Sequence, residues 1–389
     1  MTSTLTGPLP PADAADPVVP GDAPGTEVSA TVSGSLTAAL RRSTEIKRRI
    51  GKEPHRFRIL TGDRPTGDLH LGHYFGTLQN RVRLQDAGTE LFVLIADYQV
   101  LTDRDATVLP GTGAIGEHVL SLMLDYLAIG VDPARSVIFA HSAVPELNQL
   151  LLPFLSLVTE GELRRNPTVK DEIAHSRQAS VSGLMLTYPV HQAADILAVK
   201  GNLVPVGQDQ LPHLEVTRLV ARRFNERYPG AGGVGVFPEP DALLSDAPLL
   251  LGTDGGKMSK SRGNAIALRA TADETARLVK GAKTDGLRHI SYDPAARPEV
   301  SSLVLLAALC LERDPVAVAA EIGDGGAALL KRVVTDAVNE RFAAVRARRA
   351  ELATDPGYAR QVLRDGCARA RAVAAATLED VRDAMGMRY

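Results

Sequence analysis

His70 and His73 stand three residues apart in the run Thr61-Gly62-Asp63-Arg64-Pro65-Thr66-Gly67-Asp68-Leu69-His70-Leu71-Gly72-His73, where a Gly- and Pro-rich turn passes into a helical pattern. A helix start carries unpaired N–H groups and the positive end of the macrodipole, so it suits phosphate. Both imidazoles can face a triphosphate there, and Gly72 leaves room for an adenine ring on the backbone. By itself so short a motif also matches by chance, and a histidine at a helix cap is as readily structural.

A second segment strengthens the phosphate reading. Gly255-Gly256-Lys257-Met258-Ser259-Lys260-Ser261-Arg262-Gly263 is a loop with glycines at both ends and two lysines separated by Met and Ser. Flexible ends and compact ammonium charges suit a loop that closes over pyrophosphate as charge builds in a transition state. A solvated lysine loop is the plainer alternative.

The elements that must position these residues follow from local pattern. Phe57-Arg58-Ile59-Leu60 reads as a short strand, His70 to Ala87 as a helix, and Leu91 to Ala96 as a second buried strand. Further strands fit 137–140 and 203–206, with helical patterns between, which implies an α/β, Rossmann-like, doubly wound parallel sheet. Ligands in such sheets gather at the carboxyl ends of the strands, where the motifs fall. After about residue 265 the strand signals vanish. Val334, Val338, Phe342 and Val345 then recur at helical spacing, so an α-helical C-terminal domain is expected. The expected division is a disordered extension over 1–50, a catalytic domain over 51–265 and a helical domain over 266–389.

At 389 residues and 44% apolar the chain can bury a large site, and 44 Lys and Arg against 46 Asp and Glu demand no charged partner globally. From Lys331 onward there are twelve Lys or Arg against eight Asp or Glu, including Arg346, Arg348 and Arg349, a balance that fits a solvated helix face as well as a nucleic-acid surface. Cys310 and Cys367 have neither CxxC spacing nor nearby histidines, so a disulfide framework and a structural zinc site are not expected. No apolar run reaches membrane-spanning length, and the Pro-rich, acid-containing start lacks the features of a signal or transit peptide. A cytoplasmic protein is expected.

The HLGH and KMSKS pair resembles the two signatures of class I aminoacyl-tRNA synthetases. The segments Thr187-Tyr188-Pro189-Val190-His191-Gln192-Ala193-Ala194-Asp195-Ile196 and Val204-Pro205-Val206-Gly207-Gln208-Asp209-Gln210 are similar to the amino-acid pocket of the tryptophanyl branch, and the likeness runs from about Arg58 to Tyr389. An indole needs an apolar slot and one acceptor for its single N–H, which a buried carboxylate supplies. By resemblance, Asp195 reads the indole. Tyr188 and Gln210 meet the ammonium and carboxylate ends of the amino acid, Val204 and Val206 form the wall, and Gln99, His191 and Gln192 line the slot. The ATP contacts so implied are Gly62, Arg64, Thr66, Gly72, His73, Gly207, Asp209, Lys257, Met258, Ser259, Lys260 and Ser261. A capping or paired carboxylate remains the structural alternative for Asp195, and core packing that for Tyr188 and the valines. The chain departs from the usual family pattern at Arg64 (often Gln), at His191 (often aliphatic or Met) and at Gln99 (often His), as in a divergent bacterial branch.

What the resemblance implies is activation of L-tryptophan by ATP with Mg2+, then transfer to tRNA(Trp). His70, His73, Lys257 and Lys260 would act by positioning and charge stabilisation, and no enzyme nucleophile is required. The family implies a homodimer that meets the anticodon through its helical domain. The alternatives are a tyrosyl enzyme, a small-molecule nucleotidyltransferase, and a paralogue that senses tryptophan or binds RNA without charging it.

Overall fold

The computed structural model describes residues 26–102, 114–175, 180–207, 210–244, 249–259 and 262–389. Strands β1 (Arg58–Asp63), β2 (Glu90–Ile95), β3 (Ser136–Ala140), β4 (Leu203–Val206) and β5 (Asp241–Leu244) form one parallel sheet in the order β3-β2-β1-β4-β5. The chain builds outward from β1 to β3 and then crosses to the other side of β1 for β4 and β5. The switch between β1 and β4 is where such sheets open a ligand crevice.

Helices cover both faces. In chain order they are α1 (Thr26–Ile50), α2 (Leu71–His73), α3 (Gln79–Asp86), α4 (Ala114–Ile129), α5 (Glu146–Leu155), α6 (Glu160–Arg165), α7 (Pro167–His175), α8 (Gly183–Ala198), α9 (Leu211–Arg227), α10 (Ala272–Lys280), α11 (Pro298–Leu311), α12 (Pro315–Ile322), α13 (Gly326–Ala353) and α14 (Pro356–Met385). A π turn, Tyr74–Leu78, joins α2 to α3. Ile59, Leu91, Val93, Ile95 and Ile138 point into one core with α4, α11 and α13. Leu60, Phe92, Leu94, Val137 and Phe139 point into the other, with α5, α8, α9 and α14. This period of two on a sheet covered on both faces explains why the strands read as unbroken apolar runs. Val334, Val338 and Phe342 are fully buried and Val345 packs beside them, as their spacing predicts.

Both sheet edges are closed by helices at opposite ends of the sequence. At β5, the Ser43 hydroxyl of α1 donates to the Ala242 carbonyl at 3.3 Å and accepts the Leu244 N–H at 2.9 Å, while Arg42 pairs with Asp241 at 2.8 Å. At β3, α14 comes so close that a Cβ on Gly366 would lie 1.9 Å from the Ile138 carbonyl oxygen, and Arg369 donates to the carbonyls of Pro133 (2.8 Å) and Ser136 (3.2 Å). Covered edges cannot pair with another chain.

Two expectations change. The stretch read as disordered to residue 50 is helical from Thr26, because Ile46 and Ile50 have an apolar surface to bury against; residues 1–25 lie outside the described set. Strand β5 was not foreseen, since its four residues follow Pro238 and Pro240 and look like loop.

Replacing Gly366 with Ala forces a methyl against the Ile138 backbone, which no side-chain motion relieves. Thermal or urea unfolding should show a loss of about 3 kcal/mol. Gly116→Ala, with nothing within 4 Å of the new carbon on α4, should be neutral or stabilising by up to about 1 kcal/mol.

Candidate functional site

The turn after β1 and the segment after the lysine loop are bonded to each other. The Leu71 N–H donates to the Ile266 carbonyl at 3.0 Å, and the Leu268 N–H to the Leu69 carbonyl at 2.9 Å, with His70 opposite Ala267 in an antiparallel bridge. Arg269 adds an ion pair to Asp68 at 2.7 Å. The two phosphate-type motifs, nearly two hundred residues apart in sequence, therefore share one short ladder.

The two histidines lie side by side after β1. Their rings stack, 3.6 Å between centroids at 29°, and the His70 main-chain N–H donates to His73 Nδ1 at 3.2 Å, which puts the proton of a neutral His73 ring on Nε2. His70 is buried. A Cβ on Gly72 would lie 3.1 Å from the His70 ring and 3.4 Å from the Met258 sulfur. The space kept open by Gly72, expected to receive an adenine ring, is here flanked by His70 and by Met258 of the lysine loop. Gly62 serves β1 itself: a Cβ there would approach the Leu94 carbonyl to 2.5 Å. Arg64 and Thr66 are exposed beyond the strand end, joined by a 2.8 Å bond from Thr66 N–H to the Arg64 carbonyl.

Asn264, which pattern reading missed, organises the lysine loop. Its side-chain amide donates to Asp254 Oδ1 (2.7 Å) and to the Lys257 carbonyl (3.0 Å), and its side-chain carbonyl accepts the Ser259 N–H (2.8 Å). Its main-chain carbonyl accepts the Thr253 N–H at 2.9 Å. The bond from Asn264 holds the Asp254 carboxyl below its usual range. Gly252 must be glycine, because a Cβ would meet the Asn264 amide at 2.3 Å. Lys257 is exposed on this frame. Lys260 and Ser261 lie outside the described residues, as does Asp209.

A buried ion pair fixes the end of β1. Arg81 of α3 is 2% exposed and binds Asp63 at 2.5 Å, Thr61 Oγ1 at 3.0 Å and the Gly62 carbonyl at 3.3 Å, while the Tyr126 hydroxyl donates to Asp63 at 2.6 Å. Burial alone would raise the Asp63 carboxyl, but the Arg81 charge and both donors hold it below the usual range; burial and the same carboxylate push the Tyr126 hydroxyl up. Arg81 was invisible in sequence because α3 shows little amphipathic contrast.

The predicted amino-acid pocket is assembled from strand ends and α8. Asp195 is 1% exposed, and its Oδ1 lies 2.8 Å from Nε2 of His141, the residue that follows β3. His191, one turn before Asp195, is bonded through Nε2 to Asn148 Oδ1 at 3.1 Å and is kept from protonating chiefly by burial. Tyr98, beside Gln99 in the turn after β2, places its ring 6.2 Å from that of His141 and 6.5 Å from that of His191. Asp97 joins this turn to the one after β3 by accepting the N–H groups of Tyr98 and Ser142, each at 3.1 Å. Val204 and Val206 are buried on β4, and Gln192 is half-buried on α8. Gly207 follows β4 and accepts the Gln210 N–H at 3.1 Å at the start of α9. The Tyr188 hydroxyl is bonded to His213 Nε2 at 3.0 Å; burial raises its pKa strongly, Glu172 adds to the rise, and the Arg64 charge opposes it. Residues after β1, β2, β3 and β4 thus meet at one edge of the sheet. His141, Asn148 and His213 carried no spacing signal, since each acts through a partner distant in sequence.

A family model described as tRNA synthetases class I (W and Y) matches residues 52–343. The chain belongs to that family. The tryptophan–tRNA ligase of Treponema pallidum (strain Nichols) is 43% identical over 337 residues, covering 85% of this chain and 97% of the relative. That of Streptococcus agalactiae serotype V is 43% identical over 343 residues, with 85% and 98% covered. Among solved structures, the Campylobacter jejuni tryptophanyl-tRNA synthetase, complexed with ADP and tryptophan, is similar with a TM-score of 0.71 at 29% identity, covering 85% of this chain and all of that one. The parallel five-stranded sheet with helices on both faces is thus the α/β, Rossmann-like fold of class I synthetases.

Asp63→Asn leaves Arg81 buried beside a neutral amide, and chemical unfolding should show a loss of about 3–5 kcal/mol. Because the folded pKa of Asp63 lies below its unfolded value of about 3.9, the stabilisation is complete above that pH and is lost as pH falls through the lower folded value. The variant should therefore show a weaker acid dependence of stability than the parent. Asn264→Ala should slow the first chemical step about 10- to 100-fold with amino-acid KM little changed, as read by single-turnover kinetics.

Proposed function

We propose that this chain is a tryptophan–tRNA ligase, converting L-tryptophan and ATP to tryptophanyl-adenylate and transferring the amino acid to tRNA(Trp). The observation that carries the reading is a sealed carboxylate, Asp195 of α8, beside the apolar β4 wall, on a chain whose first phosphate motif is bonded to the segment that follows the second. Indole is a donor with no acceptor, and a buried carboxylate is an acceptor with no donor. The named activity of relatives at 43% identity supports the same substrate.

In the first step a carboxylate oxygen of tryptophan attacks the α-phosphorus of ATP, the bond to the β-phosphate oxygen breaks, and pyrophosphate leaves. ATP enters as its magnesium salt, the ion being part of the substrate. His70, His73, Lys257 and Lys260 stabilise the charge that builds on the phosphates, with Gly62, Arg64, Thr66, Gly72, Met258, Ser259, Ser261, Gly207 and Asp209 as the ATP cradle. The ladder between residues 69–71 and 266–268 supports concerted movement of both motifs. Tyr188 and Gln210 hold the ammonium and carboxylate ends, and Gln99, His191 and Gln192 line the slot. In the second step a ribose hydroxyl of the tRNA's terminal adenosine attacks the adenylate carbonyl carbon, and AMP leaves.

The helical region over 266–389 is assigned to anticodon binding in a cytoplasmic homodimer. Arg349, bonded to Asp125 and Ser121, and Arg346, bonded to Thr275 and Asn339, serve inside the protein, so the tRNA surface falls to other residues such as the exposed Arg348. No described helix is long and apolar enough to cross a membrane.

Pyrophosphate exchange into ATP, run with each of the twenty amino acids, should respond to tryptophan alone. A response to tyrosine instead would reassign Asp195 to a phenol. Lys260→Ala should lower the exchange rate about 100-fold or more with tryptophan KM within a few-fold of the parent.

A further inference from the structure

We propose that His141 is a positioning residue of the amino-acid pocket: it locks the Asp195 carboxylate in the orientation that accepts the indole N–H, and so sets the enzyme's preference for a side chain with a ring N–H donor. The proposal rests on the tryptophan reading above.

The two side chains are 0% and 2% exposed and meet at 2.8 Å. An ionised carboxylate only accepts, so His141 Nε2 carries the proton of this bond and Oδ1 is taken. Rotation of the carboxyl group is thereby stopped before substrate arrives, and an acceptor fixed in advance loses less freedom on binding than a mobile one. The two imidazoles beside Asp195 offer it no second donor: the buried Nδ1 atoms of His141 and His191 have no hydrogen-bond partner among the described residues, and Nε2 of His191 is committed to Asn148. Burial lowers the His191 pKa, which disfavours a competing cation beside Asp195. Tyr98, whose plane is within 17° of that of His141, and His191, at 4.7 Å, hold the imidazole from two sides. A site with this balance accepts an amino acid that brings a donor and penalises one that leaves the carboxylate unpaired.

The same three groups, His141, His191 and Asp195, bring ligand atoms within 4.8 Å of one another, close enough to share a cation. That arrangement would fill the place the indole needs, and it makes a distinct outcome below.

The test is pyrophosphate exchange with tryptophan and with benzothienylalanine, which has sulfur in place of the indole N–H. The proteins are the parent, His141→Leu, His141→Phe and His141→Gln, with folding checked by circular dichroism. The parent should prefer tryptophan by about 1000-fold or more in kcat/KM. Removing the donor in His141→Leu should raise tryptophan KM about 30-fold, leave kcat within a few-fold, and reduce the preference at least about 10-fold. His141→Phe keeps a ring beside Tyr98 without the donor and should behave alike, so a folding failure of one variant does not decide the matter. His141→Gln, whose amide can still donate to Asp195, should recover most of the preference. An equal rise in KM for both amino acids, or an unchanged preference in both variants, would make His141 a packing residue and overturn the proposal. One zinc ion per chain in native mass spectra of the parent, lost in His141→Leu, would overturn it in favour of a metal site. Absence of tryptophan-dependent exchange in the parent would instead sink the functional reading on which the proposal stands.

Discussion

Two main-chain bonds, Leu71 to Ile266 and Leu268 to Leu69, tie the turn that carries His70 and His73 to the segment that follows the lysine loop. Main-chain groups leave little choice of partner once the ladder is formed, so the turn that follows β1 and the loop that precedes α10 inherit a common frame. A Cβ on Gly72 would then meet both the His70 ring and the Met258 sulfur. The lysine loop is shaped from its other side by Asn264, whose amide reaches both its entry and its middle. The catalytic motifs are thus positioned by backbone geometry and one buried amide. Lys257 itself remains at the surface.

Buried charges mark the joints of the scaffold. Asp63 with Arg81 ties the end of β1 to α3, Asp125 with Arg349 ties α4 to α13, and Asp195 with His141 ties α8 to the end of β3. The last two pairs join elements distant in sequence, and their carboxylates have been removed from water, where an unpaired charge would be costly. Such pairs are poor sources of net stability compared with apolar packing, but they define geometry sharply because charged hydrogen bonds tolerate little displacement. Two of the three stand at the carboxyl edge of the sheet, where geometry matters most for chemistry.

The closure of the sheet edges carries a similar lesson. The α1 helix at β5 and the α14 helix at β3 come from opposite ends of the chain, and each meets its strand through main-chain contact: Ser43 with Ala242 and Leu244, Gly366 with Ile138. The C-terminal helices are therefore part of the catalytic sheet's protection as well as candidates for RNA binding, and several of their arginines are spent on internal carbonyls and carboxylates.

The parallel sheet and the helical character of the last third were readable in the sequence, because each has a local signature, a run of apolar residues or a 3.6-residue repeat, whereas the HLGH, KMSKS and Asp195 assignments came from resemblance to a family. Arg81, His141, Asn148, His213 and Asn264 were not readable. Each takes its meaning from a partner that only folding supplies, so nothing in its own neighbourhood distinguishes it from a surface or core residue of the same type. Strand β5 and the helical part of 26–50 belong with them, since a four-residue strand beside prolines and a helix without a strong apolar stripe become stable only when they pack together. The sequence by itself determined which chemistry was available and roughly where along the chain it lay. Only the tertiary structure decided which atoms meet, that the two histidine rings stack, and that Asp195 is held by an imidazole, because those outcomes depend on long-range contacts and burial that no local pattern encodes.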